Sequence, residues 1–249
     1  MSGVIDSIRI HLPLSRLEPP TMGHVDVWLV DLSASNFTTE VASTSSQAKG
    51  WHGRKQQGFR LQSRFFTRLL LAQYMGMPGK DLRLSTNKNG KPFIDAAPIT
   101  FNVSHSRQWL AVAIASMGEV GVDIEIARPI RRAHSLAKRY FSATEAAVLA
   151  GLSEPERSHK FLRRWTLTEA LVKANGDSLA KSLSFLGFDE TSEQLLSRPP
   201  HWSSDVQWAF RHFDGSQDTS SLIGCVVSSN PMQAIHLKWL SAHLPINCP

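Results

Sequence analysis

The chain has 249 residues, 42% of them hydrophobic and 19% charged, with a formal charge of +6. A chain this long buries roughly three quarters of its unfolded surface, so it needs neither disulfides nor zinc to keep a core, and it suits one large domain or two joined halves. The longest apolar run, Trp109 to Ala115, is seven residues, against the roughly 20 of a spanning helix. The start, Met1 to Asp6, has no basic region followed by an apolar stretch, so the sequence predicts no secretory leader and a soluble, cytoplasmic protein. Cys225 and Cys248 make no CxxC and no metal-ligand spacing. The +6 charge favours anionic partners, but ordinary solvation explains it equally well.

The first 23 residues, with Pro13, Pro19, Pro20 and Gly23, read as an irregular lead-in. His24 to Leu32 alternates, with Val25, Val27 and Leu29 on one face, and predicts a strand. Ser33 to Ser46 is rich in Ser and Thr and reads as a loop or a weak helix. From about Gly50 to Tyr74, the positions Phe59, Phe65, Phe66, Leu69 and Leu70 suit a helix stopped by Gly76 and Pro78. Asn87 to Pro92 (NKNGKP) is a turn by composition.

Three strands are predicted next: Ile99 to Val103, Trp109 to Ala115 and Val120 to Ile126. Ser104-His105-Ser106 and Met117-Gly118 serve as links. Ser142-Ala143-Thr144-Glu145 is a capping box opening a helix to about Ala150. Glu156 to Ala174 predicts a longer helix with Asn175-Gly176 as a left-handed cap. Val206 to Phe213, Leu222 to Ser228 and Ala234 to Leu240 are further β-like runs. Strands and helices interleave without strict βαβ alternation, so the expected class is α+β.

Gly121-Val122-Asp123-Ile124-Glu125 carries the most chemistry. On a strand, Asp123 and Glu125 share one face while Val122, Ile124 and Ile126 take the other. Two carboxylates about 4 Å apart repel by roughly 4 kcal/mol at an effective dielectric near 20. A hard divalent cation such as Mg²⁺ relieves this, and so does plain hydration of an edge strand. Trp165, Glu169 and Lys173 form one helical stripe. Taken alone, that stripe is equally a core tryptophan beside a helical ion pair. An acid and a base facing the D-x-E strand would make a metal site suited to a pyrophosphate.

With those residues in hand, the sequence resembles the 4′-phosphopantetheinyl transferase superfamily, in its long, surfactin-synthetase-activating form. Five pieces stand in the family's order: Gly90-Lys91-Pro92; Phe101 to Ser106 (FNVSHS); Gly121 to Glu125 (GVDIE); Arg139-Tyr140-Phe141-Ser142 with Thr144-Glu145; and Trp165 to Ala170 (WTLTEA) with Lys173. The resemblance implies a monomer of two similar α/β halves related by a pseudo-twofold axis. They would be joined near Gly118, as residues 1–118 and 119–249, with CoA between them. It implies transfer of the phosphopantetheine arm of CoA to a serine of an apo carrier protein, with release of adenosine 3′,5′-bisphosphate. Asp123, Glu125 and Glu169 would hold Mg²⁺, or Mn²⁺ in its place, and Glu169 would also be the general base. Lys173, Ser104 and His105 would meet phosphate and nucleotide, and Lys91 and Arg64 the nucleotide end. Arg54 and Lys55 are further basic candidates without a motif.

Two of these positions have bland alternatives, His105 as a structural or surface histidine and Arg64 as a solvated helix residue. One position departs from the family: Thr168 stands where a lysine usually precedes the helix glutamate, with Arg164 one turn earlier on its face. Thr168→Lys is therefore expected to change KM more than turnover. The competing reading is a non-catalytic CoA- or carrier-binding protein of the same fold. The dispersed basic residues argue against a nucleic-acid binder. Ser104-His105, lacking a G-x-S-x-G elbow, argues against a Ser/His hydrolase.

Overall fold

The computed structural model describes residues 5–34, 51–189, 194–217 and 220–241, with the backbone alone for 5–6, 34, 51–57, 217 and 220. In chain order the elements are β1 (Ile5–His11), β2 (His24–Asp31), α1 (Trp51–Met75), β3 (Ser85–Thr86), β4 (Pro92–Phe93), β5 (Thr100–Ser106), β6 (Trp109–Ala115) and β7 (Val120–Ile126). Then come α2 (Ala133–Tyr140), α3 (Ala143–Gly151), α4 (Glu156–Asn175), α5 (Leu179–Ser182), β8 (Gly187–Phe188), β9 (Leu195–Ser197), β10 (Ala209–Gln217), β11 (Ser220–Ser228) and β12 (Ala234–Ser241). The α+β class is borne out.

Two sheets carry the core. The first runs β1-β12-β2-β6-β5 and the second β10-β11-β7. Each strand of the first sheet divides its side chains by parity. Val25, Val27, Leu29, Trp109, Ala111 and Ala113 face the second sheet and pack on its Val122, Ile124 and Val226. Trp28, Val30, Leu110, Val112 and Ile114 face α1, where Phe66, Leu70, Leu71 and Tyr74 cover them. The outer face of the second sheet lies under α4, with Leu167, Ala170, Leu171 and Ala174 against Cys225 and Val227. The order of layers is thus helix, sheet, sheet, helix.

Several expectations need correction. The lead-in contains a strand, β1, which pairs parallel with β12 from Ile5↔Ile235 to His11↔Ser241. It is an edge strand with Ile8 51% exposed, so backbone pairing holds it and no clean apolar alternation marks it. Ser104, His105 and Ser106 are the end of β5 rather than a link, and the turn is Arg107-Gln108. Phe65 of α1 is exposed. Of the stretch from Ser33 to Ser46, only the start, within a 3-10 turn at Leu32–Ala34, falls among the described residues. The capping box at Ser142 and the left-handed cap at Gly176 form as the sequence predicts.

β12 crosses back from the C-terminal part of the chain into the first sheet, between β1 and β2. The turn at Gly118 has a φ of 72°, which glycine adopts without strain.

Candidate active site

The site is built at the seam where β5, the edge of the first sheet, meets β7, the edge of the second. No backbone ladder joins them. Instead every second side chain of β5 accepts a hydrogen bond from every second backbone N–H of β7. Val122 N donates to Asn102 Oδ1 at 3.0 Å, Ile124 N to Ser104 Oγ at 3.4 Å and Ile126 N to Ser106 Oγ at 3.1 Å. The two hydroxyls spend their protons on the carboxylates beside them. Ser104 donates to Asp123 Oδ1 at 2.7 Å, and Ser106 to Glu125 Oε2 at 2.9 Å.

Gly121 sets how close the helix comes. A Cβ there would sit 2.0 Å from the Ala170 carbonyl oxygen and 2.5 Å from Ala174 N, so only glycine lets α4 lie this near β7. Asp123 is two residues on along the same face. Lys173 Nζ consequently stands 2.5 Å from Asp123 Oδ1, 3.1 Å from Ser104 Oγ and 3.5 Å from Glu169 Oε2. Arg128 reaches Glu125 at 3.8 Å.

The electrostatics follow from crowding. Desolvation, with the Asp123 charge added, pushes the Glu169 carboxyl above its usual pKa, against the pull of Lys173. Desolvation also raises Glu125, opposed by its bond from Ser106 and reinforced by Asp123. Asp123 is 3% exposed, and its Oδ2 has no hydrogen-bond partner. A buried carboxylate oxygen without a partner is costly. Among the described residues no three His, Cys, Asp or Glu side chains are gathered as metal ligands, and the Lys173 ammonium sits between Asp123 and Glu169. The donor set nonetheless fits a hard divalent cation: all oxygen, one atom unpartnered, and three carboxylates facing the two cations Lys173 and Arg128.

The remaining predicted residues are placed as follows. His105 points to the opposite side of β5 from Ser104 and is exposed. Desolvation by its surroundings, then the Lys173 charge, hold its imidazole below the usual pKa, with a smaller push from Arg60. Arg64 is exposed on α1, one turn beyond Arg60. Arg60 was missed in the sequence, where nothing but its spacing from Arg64 marks it. The side chains of Arg54 and Lys55 lie outside the described residues. Lys91 does not join the cluster: its ammonium donates to the Ala174 carbonyl at 2.8 Å and to Glu119 Oε2 at 2.6 Å, and desolvation lowers its pKa.

Trp165 is half-buried at the margin of the core and stacks on Phe161 with ring centroids 6.1 Å apart. Thr168 is fully buried. Arg164 donates to its Oγ1, pairs with Glu145 and lies between the rings of Phe141 and Phe188, at 4.8 and 4.1 Å. The cationic neighbour expected for Thr168 is therefore present but locked in a buried packing arrangement. A separate, largely apolar cavity of about 790 Å³ opens between α3, the first half of α4 and β8, lined by Phe141, Leu149, Leu162 and Phe188. None of Asp123, Glu125, Glu169 or Lys173 lines it.

The sequence is also similar to known proteins. The sequence pattern of the 4′-phosphopantetheinyl transferase superfamily matches residues 119–222, the span holding β7 and α4. The chain is 37% identical over 143 residues to the 4′-phosphopantetheinyl transferase AcpT of Salmonella typhimurium, covering 57% of this chain and 71% of that one. It is 29% identical over 180 residues to the 4′-phosphopantetheinyl transferase HetI of Nostoc sp., covering 70% and 74%. With the 4′-phosphopantetheinyl transferase Sfp of Bacillus subtilis it shares 34% identity over 117 residues, covering 47% and 51%. The chain belongs to the 4′-phosphopantetheinyl transferase superfamily.

Proposed function

We propose that the protein moves the 4′-phosphopantetheine arm of CoA onto a serine of an apo acyl or peptidyl carrier protein, with Mg²⁺ bound and adenosine 3′,5′-bisphosphate leaving. Transferase activity on a carrier protein with CoA as donor follows from family membership. The observation that carries the finer reading is the buried, unpartnered Oδ2 of Asp123 beside two carboxyls of raised pKa. Asp123, Glu125 and Glu169 would hold the ion, which supplies charge neutralisation on the CoA pyrophosphate. Mn²⁺ satisfies the same oxygen donors.

Each side chain then has a task. Glu169 takes the proton of the carrier serine. Lys173 offers its ammonium to a pyrophosphate oxygen. His105 donates a hydrogen bond to phosphate or nucleotide from the exposed side of β5, and Ser104, on the buried side, fixes the Asp123 carboxylate and offers its hydroxyl to phosphate. Arg64, with Arg60 a turn away, faces the nucleotide end. The halves divide at residues 1–118 and 119–249, with β12 of the second returning to the sheet of the first, and the chain works as a cytoplasmic monomer. Among the described residues no helix is long and apolar enough to cross a membrane. An acidic carrier suits the +6 charge.

Incubation with CoA, Mg²⁺ and a panel of apo carriers, read by intact mass, tests the proposal. A phosphopantetheine mass gain on one serine, lost with chelator, is the expected result. Carrier or CoA binding without that gain would select the non-catalytic alternative.

A further inference from the structure

The helix that bears Glu169 and Lys173 ends against a turn from the other side of the molecule. α4 leaves its last carbonyls without intrahelical donors, as every helix does. Gly176 and Asp177 N–H cap the Lys173 and Val172 carbonyls locally, while the turn between β3 and β4 supplies donors to the Ala174 carbonyl and to the carbonyl of the cap residue Gly176. Asn87 Nδ2 donates to the Gly176 carbonyl at 3.0 Å, and Asn89 Nδ2 to the same oxygen at 2.9 Å. Lys91 Nζ donates to the Ala174 carbonyl at 2.8 Å and holds Glu119 at 2.6 Å. The Lys91 side chain is 13% exposed, and its charge lies at the negative end of the helix dipole.

The turn is itself preset for this contact. Asn87 Oδ1 accepts from the backbone N–H groups of Asn89 and Lys91, both at 2.9 Å, and Gly90 has a φ of 88°. The helix end is fitted to it in return. Gly176 has a φ of 69°, and a Cβ on it would meet Asn87 Nδ2 at 2.7 Å. Both sides of the contact thus exclude the commoner residue.

We propose that Asn87, Asn89 and Lys91 form a latch that positions α4, and through it Glu169 and Lys173, against Asp123. They are positioning residues, and Lys91 acts on turnover rather than as a ligand of CoA. This rests on the function proposed above, and it reassigns Lys91 from the nucleotide end to the helix end. A shift of about 1 Å in a catalytic group costs on the order of 10²-fold in rate, so a partial release of the helix end affects kcat first.

The test compares four variants with the wild type. Asn87→Asp keeps the acceptor that shapes the turn and removes the donor to Gly176, Asn89→Ala removes the second donor, Lys91→Met removes the third, and Lys91→Arg restores a donor. Expected results are kcat lowered about tenfold or more in the first three, KM for CoA within about twofold, and recovery in Lys91→Arg. Amide hydrogen exchange over residues 170–176 should quicken about tenfold in the same three, with the core of the first sheet unchanged. A raised KM for CoA with kcat intact in Lys91→Met would make Lys91 a substrate ligand and overturn the latch. Unchanged exchange at the helix end would overturn it too, whatever the kinetics. Absence of transfer by the wild type sinks the proposed function instead, while the exchange measurement still decides the latch.

Discussion

Each sheet buries one aspartate against its long helix, and the two are treated very differently. Asp26 of β2, 2% exposed, faces α1, and Asp123 of β7, 3% exposed, faces α4. Around Asp26 both oxygens are satisfied: Tyr74 Oη donates at 2.5 Å and Lys238 Nζ at 2.6 Å to Oδ2, and His236 Nδ1 lies 3.2 Å from Oδ1. Trp28 Nε1 donates to Tyr74 Oη at 2.9 Å and closes the network. Desolvation and the Asp26 charge push the Tyr74 hydroxyl far up, so it stays a donor. Around Asp123 every donor goes to Oδ1 and Oδ2 has none. A buried carboxylate with a lysine is therefore not a site in itself. The uneven sharing of donors is what separates the aspartate proposed to hold the metal from the fully partnered one.

The sharpest way to break the comparison is to remove each aspartate in turn. Asp123→Ala, like Glu169→Ala, should lose metal-dependent transfer by several orders of magnitude and keep its melting temperature near wild type. Asp26→Ala should do the reverse, costing about 3 kcal/mol in denaturant unfolding through the unpaired Lys238 and Tyr74, with activity per folded molecule retained. An Asp26→Ala protein that is stable but inactive would erase the distinction.

Gly121→Ala tests the close approach that only the second sheet has. Its Cβ would sit 2.0 Å from the Ala170 carbonyl, so the helix must move, with a cost of about 1–3 kcal/mol in unfolding and a fall in kcat. Thr168→Lys now reads as a stability change. It places a second cation beside Arg164 where Glu145 is already paired, and a loss of about 1–3 kcal/mol is expected. A shift in KM at unchanged melting temperature would return Thr168 to the substrate.

The smallest effect concerns pH. Glu125 and Glu169 have raised folded-state pKa values. Their contribution to stability is therefore full below about pH 4.3, the unfolded value, and is lost as pH rises through the folded values. The metal-free melting temperature should carry that downward contribution, and added Mg²⁺ should raise it more at pH 7.5 than at pH 5, because the ion needs both groups ionised. Equal stabilisation at the two pH values would remove these carboxylates from the ion's ligands.

Much of this was legible in the sequence because local signals and burial agreed. β6 and β7 match their predicted ranges, since a continuously apolar run and a D-x-E alternation each fit one environment. The capping box marks the start of α3 and the glycine cap the end of α4 from local residues. Glu169 and Lys173 share a stripe by helical geometry alone, and the structure brings that stripe onto Asp123. What escaped depends on contacts between distant segments. β1 is held by backbone pairing, which composition does not encode. Asn102, Ser104 and Ser106 alternate visibly, yet nothing local says that their acceptors replace a strand neighbour. Lys91 sits in a recognisable motif, but its destination at Ala174 depends on where α4 ends in space.

That joint of alternating side chains has an evolutionary consequence. Peptide groups are common to all residues, so an ordinary sheet edge keeps its spacing whatever mutations arise. Between β5 and β7 the spacers are encoded residue by residue, so a single codon change at Asn102, Ser104 or Ser106 resizes the spacing between the strands beside Asp123 and Glu125. Divergent descendants could thus acquire new donor or acceptor preferences through three adjustable rungs, leaving both hydrophobic layers intact.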